Sequence, residues 1–101
     1  MALFVVQCLD HDDVLEKRLA ARGQHLARLE ALAAENRLIV AGPMPKNPDD
    51  LSEGFLGSTI IVDFPSRAAL DEWLADEPYA HAGVYKHIDV KPFIKALPKD
   101  I

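Results

Sequence analysis

His25 is where chemistry could begin. It lies in Arg22-Gly23-Gln24-His25-Leu26-Ala27-Arg28-Leu29. At 3.6 residues per turn it shares a side with Leu29 and Leu32, within an arc closed by Leu26 and Ala33. An imidazole on that inward side is either a packing residue with one satisfied hydrogen bond or the working end of a site. A carboxylate against one ring nitrogen would fix the tautomer and strengthen the other nitrogen as a general base. Two acids, Asp76 and Glu77, stand just before Pro78-Tyr79 on the second helical connection, and either could reach His25. Acids at the C-terminal end of a helix oppose its dipole, so the placement asks for compensation. Arg22, about one turn from His25, could offset developing negative charge, with a surface arginine as the alternative. Ser58, Tyr79 and Pro43 complete the candidate substrate-binding set.

Other chemistries find less support. The four histidines form no HExxH, HxH or Cys-His cluster. His81, four residues after Glu77, makes one pair and not a metal site. Neither a metal nor a cofactor is expected. Cys8, the only cysteine, has no partner for an intramolecular disulfide, and within a strand-like run it reads as a small buried hydrophobe. The net charge of −5, with Lys and Arg scattered, offers no footprint for a phosphate backbone, so nucleic acid is not an expected partner. No apolar run approaches the ~20 residues of a membrane span, and MALFVVQCLDHDD lacks the basic region and cleavage site of a signal peptide. A cytoplasmic location is expected.

The elements that must position these residues can be read in order. LFVVQC at 3–8 is apolar at both parities, the pattern of a strand covered on both faces. Asp13 and Glu16 have capping-box spacing, predicting a helix from residue 12 or 13, with Leu15 and Leu19 one turn apart. Gly23 either bends that helix or separates it from a second stretch over 24–36. A second strand covers 37–43, ended by Gly42-Pro43. Residues 43–57, with three prolines and two glycines, read as a long connection, either functional or a surface excursion. STIIVDF at 58–64 is a third strand, and Ser66 caps a short helix through Leu74. Pro78 stops that helix or restarts a turn. The last strand, 84–92, alternates, with Tyr85, His87, Asp89 and Lys91 on its wetter face.

The order, with residues 1–101 as a single domain, is α+β: a ferredoxin-like βαββαβ subunit with both helices on one face of an antiparallel sheet. The first and third strands are then central and apolar on both faces. The uncovered face must also be hidden, most cheaply by a second copy stacked sheet to sheet.

RGQHLARL, together with AGPMP at 41–45, Gly57-Ser58, Trp73, EPYAHAGVY at 77–85 and VKPF at 90–93, resembles the YciI-like (YCII-related) family of small bacterial proteins. The resemblance runs from the first strand to Phe93. It implies a dimeric α+β barrel, related in fold to muconolactone isomerase. It also implies a catalytic dyad between the histidine of the x-x-H-L segment and the aspartate of a D-P-aromatic motif. His25 fills the histidine position. Glu77 stands at the acid position, a departure from Asp that leaves Asp76 as the other candidate.

One branch of the family removes chloride from a chlorinated hydroxyquinone. The expected function is therefore a small-molecule enzyme, an isomerase or lyase, moving a proton on a small oxygenated cyclic metabolite. The alternative is a non-catalytic metabolite-binding or accessory dimer.

Overall fold

The computed structural model describes residues 2–99. Four strands, β1 (Ala2–Asp10), β2 (Leu38–Pro45), β3 (Phe55–Phe64) and β4 (Tyr85–Phe93), form one antiparallel sheet in the order β2-β3-β1-β4. Helix α1 (Leu15–Ala34) joins β1 to β2, while α2 (Arg67–Ala75) and the single-turn α3 (Pro78–His81) join β3 to β4. This is the βαββαβ ferredoxin-like arrangement read from the sequence. The two strands apolar at both parities, β1 and β3, are central.

Alternation decides which face of the sheet meets the helices. Phe4, Val6 and Cys8 of β1 and Ile60, Val62 and Phe64 of β3 pack against Leu29 and Leu32 of α1 and Leu70 and Leu74 of α2. A smaller cluster of Val14, Ala21, Tyr79 and Val84 lies between α1 and α3. Where β3 meets β1, a Cβ on Gly57 would sit 1.8 Å from the Cys8 carbonyl oxygen. Only glycine lets the two backbones approach at this point. The Ser66 side chain accepts from the Ala69 N–H at 3.1 Å, capping α2 as expected.

Several sequence expectations need correction. Asp13 does not cap α1: its φ is +56°, and the helix begins at Leu15 after Val14 with no side-chain cap. A left-handed residue cannot aim its carboxylate back over the first turn. Gly23 does not divide α1, which runs unbroken for 20 residues with buried residues on both sides of the glycine. Strand β2 does not stop at Pro43. It continues to Pro45, since it pairs only with β3 and an edge strand tolerates proline where its N–H would face solvent. Strand β3 begins at Phe55, before the expected Ser58. The connection thus contracts to residues 46–54 around a short 3₁₀ turn, Leu51–Glu53.

Tyr85 does not lie on the wet face. Leu9 pairs with His87 and Asp10 with Tyr85, so an irregularity skips Lys86 and turns Tyr85 to the helix-covered side. There it meets Tyr79 edge to face at 5.7 Å.

The opposite face carries Leu3, Val5, Val40, Ile61 and Phe93 alongside Gln7, Thr59, Asp63, His87, Asp89 and Lys91. No described helix is long and apolar enough to cross a membrane.

Candidate functional site

The acid that meets His25 is Glu77, and the local sequence explains why. Helix α2 ends at Ala75, with Asp76 as its C-cap, and Pro78 at the first helical position starts α3. Glu77 is therefore the N-cap of a new turn, where a carboxylate is favourable, rather than the unfavourable C-terminal residue of the helix before it. Its Oε2 accepts from the N–H groups of Tyr79 at 2.6 Å and Ala80 at 3.2 Å. Its Oε1 contacts His25 Nδ1. Both side chains are buried, with 9% of the His25 side chain and 3% of that of Glu77 exposed. The imidazole stacks on the Tyr79 ring at 3.9 Å and 15°. With Nδ1 committed to Glu77, Nε2 is left for a ligand.

Asp76, one residue earlier, is exposed at the C-cap of α2. It borders a shallow groove with Lys17 and His81 instead of the imidazole.

The rest of the predicted set converges. His25, Arg22, Pro43, Ser58 and Tyr79 all line one cavity of about 440 Å³, which Leu51 of the shortened connection and Phe55 at the start of β3 border. That volume suits a small metabolite. Ser58 is buried, whereas Arg22 and Pro43 are exposed. Burial raises the pKa of the Tyr79 hydroxyl, against the opposing charges of Arg18 and Arg22.

Arg18 is the site residue that sequence reasoning missed. It is buried, and it holds Asp10 through two contacts: Nε to Oδ2 at 2.5 Å and Nη2 to Oδ1 at 3.0 Å. Nη2 also donates to Ser58 Oγ at 2.8 Å. The guanidinium lies over the rings of Phe55 and Tyr79, 5.1 and 4.9 Å from their centroids. Burial opposes its charge, but hydrogen bonding and attraction to Asp10 outweigh this, and its pKa is held above the ordinary value. A signal did exist: Arg18 stands seven residues before His25, two turns along the same side of α1.

Among the described residues, no group of three or more His, Cys, Asp or Glu is placed to hold a metal. Cys8 is buried beneath the site, and its thiol is pushed up to about 12, first by burial and then by the charge of Glu77. It is not a poised nucleophile. Burial, followed by the nearby Cys8, likewise raises the Tyr85 phenol.

Fold and geometry together define a class: a small ferredoxin-like subunit whose helix–sheet interface encloses a histidine–carboxylate contact beside a metabolite-sized cavity. The YCII-related domain matches residues 2–94, and the chain belongs to that family. Protein YciI of Escherichia coli O6:H1 (strain CFT073) is 50% identical over 95 residues, spanning 92% of this chain and 97% of that protein.

Among solved structures, 5-chloro-2-hydroxyhydroquinone dehydrochlorinase (TftG) of Burkholderia phenoliruptrix AC1100, in complex with 2,5-dihydroxybenzoquinone, is similar with a TM-score of 0.81. It is 25% identical, and the match covers 91% of this chain and 93% of that one. A dimeric protein of unknown function with a ferredoxin-like fold from Bacteroides fragilis NCTC 9343 matches with a TM-score of 0.52 and 16% identity, over 91% and 93% of the two chains. That second likeness is one of fold.

Proposed function

We propose that this chain is a small-molecule enzyme in which His25, oriented by Glu77, moves a proton on a small oxygenated cyclic metabolite. The observation that carries the reading is the buried contact between His25 Nδ1 and Glu77 Oε1 at the wall of the cavity. Glu77 fixes the tautomer with Nδ1–H as donor and stabilises the imidazolium that forms when Nε2 accepts a proton. The electron pair of the broken C–H bond moves into an adjacent carbonyl as an enolate. Reprotonation at another carbon then gives an isomer, whereas departure of a group from the neighbouring carbon gives an elimination. Arg22, Ser58, Tyr79 and Pro43 would contact the substrate, with Arg22 offsetting the enolate charge. The likeness to a dehydrochlorinase supports a lyase or isomerase over other classes.

Chloride release from 5-chloro-2-hydroxyhydroquinone, measured alongside turnover of a panel of cyclic hydroxyketones, tests this reading. His25→Ala should abolish activity in a chain that remains folded, and Glu77→Gln should reduce it. A tight ligand recovered chemically unchanged would instead favour a binding module, and full activity in His25→Ala would exclude His25 as the base.

The reading includes a homodimer and a reducing, cytoplasmic setting. Support for the dimer comes from the second sheet face, where Val5, Ile61 and Leu3 are only half-covered and Leu9 and Val40 are about half exposed. Burying such a face against a second copy is favourable by ~25 cal/mol per Å². The lone buried thiol of Cys8 fits a reducing compartment.

A further inference from the structure

We infer that the cavity is built for a planar ring carrying a delocalised oxyanion, carboxylate or enolate, and that Arg18 reads this group through Nη1. The inference deepens the proton-transfer reading and rests on it for the cavity as the reacting site.

Three hydrogen bonds, two to Asp10 and one to Ser58, use the N–H of Nε and both N–H groups of Nη2. The two N–H groups of Nη1 take no part in them; the Tyr79 hydroxyl also lies within hydrogen-bonding reach of the guanidinium, which leaves Nη1 at least one N–H for a ligand. The described residues contain two sealed polar side-chain atoms without a partner, Arg28 Nη1 and Asp63 Oδ1. Arg18 Nη1 is not one of them, and Arg18 lines the cavity.

The guanidinium is held in place before any ligand arrives. Asp10 grips one edge, and Phe55 and Tyr79 lie against it. A fixed planar fork of this kind recognises a delocalised oxyanion better than a flexible ammonium would. Tyr79 touches both ends of the site, stacking on His25 and meeting Arg18. Arg18 and His25 are seven residues apart on α1, about 10.5 Å along its axis. Their side-chain ends come closer than that, since both lie against the Tyr79 ring, Arg18 at 4.9 Å and His25 at 3.9 Å from its centroid, and a six-membered ring bound in the cavity beside Tyr79 reaches both. An oxygen docked on Nη1 therefore leaves the opposite side of the ring facing His25.

Charge agrees with this placement. Asp10 is engaged by Arg18 and Glu77 by His25, whereas Arg22, exposed on the cavity wall, joins no ion pair among the described residues. An incoming anion meets unopposed positive charge at the entrance and paired charge further in.

Calorimetric titration with benzoate, with the enolate of cyclohexane-1,3-dione and with neutral benzamide tests the inference without a known substrate. The wild-type chain should bind the two anions at least ~10-fold more tightly than benzamide. Arg18→Lys should remove at least ~10-fold of that preference while leaving benzamide binding unchanged. Benzoate without the enolate would identify the group as a carboxylate, and the reverse as an enolate.

His25→Ala should keep the anion preference while losing turnover, so failure here and failure of the proton-transfer reading are distinguishable. Should Arg18→Lys fail to fold, side-chain NMR of ¹⁵N-arginine-labelled wild type decides: benzoate must shift the Arg18 guanidinium signals and benzamide must not. Equal affinity for benzoate and benzamide, a full preference in Arg18→Lys, or unmoved Arg18 signals would overturn the inference.

Discussion

On the helix-covered face of the sheet, the buried polar side chains among the described residues, Arg18, His25, Ser58 and Glu77, all partner one another or Asp10. On the other face, Asp63 Oδ1 is sealed without a hydrogen-bond partner among the described residues, and apolar Val5 and Ile61 are only half-covered. Desolvating a charge is costly unless a partner compensates. Around the cavity the first face meets that cost inside one chain and gains a rigid wall, with Arg28 Nη1 on α1 the sealed side-chain atom left unpartnered on that side among the described residues. The second leaves apolar surface and an acid uncompensated, and we read it as a face meant to be covered by another copy.

The largest way to break the contrast is to unpair the covered face. Arg18→Met strands Asp10, whose side chain is 2% exposed, and should cost about 3 kcal/mol or more. Thermal unfolding should record a fall of about 15 °C for a chain of this size. Ile61→Glu sharpens the other side. Sedimentation should show a dimer for wild type and a monomer for this variant, with the cavity's ligand binding reduced only if the dimer shapes it.

Alkaline pH provides a smaller and graded effect. The native Cys8 thiol keeps its proton up to about 12, against an ordinary 9.0, so between these values the folded state binds more protons than the unfolded chain. Stability is then intact below about pH 9 and falls as pH rises, by up to about 1.4 kcal/mol per unit from this group. The raised tyrosines Tyr79 and Tyr85 act in the same direction. Denaturant midpoints measured from pH 8 upward should show the decline, and Cys8→Ala should make it shallower while leaving the tyrosine contribution. The smallest effect is expected at Asp76→Asn, which touches neither imidazole nor cavity and should change stability by less than about 0.5 kcal/mol.

What could be read from the sequence was whatever depends on local periodicity. The Ser66 cap and the inward side of α1 carrying His25, Leu29 and Leu32 follow from spacing along one element, and the strand order from the succession of elements, whereas the capping box read at Asp13 and Glu16 did not form. Features set by contacts between distant segments could not be read this way. Arg18 looks like a solvated residue until Asp10 and Ser58, the latter 40 positions away, arrive to desolvate it. Tyr85 changes face because of an irregularity at Leu9/Asp10 on a different strand. Which of Asp76 and Glu77 meets His25 depends on where α2 ends and α3 begins, one residue either way, and element boundaries are the weakest part of any periodicity argument.

Deuterium exchange tests the central claim most directly. A cyclic hydroxyketone that binds the cavity is incubated in D₂O with wild-type chain, His25→Ala and Glu77→Gln, and loss of its carbon-bound proton is followed by NMR. If the His25–Glu77 pair is the base, wild type should exchange that proton at least ~100-fold faster than His25→Ala, with Glu77→Gln between them. Equal exchange rates for wild type and a folded His25→Ala would contradict the account.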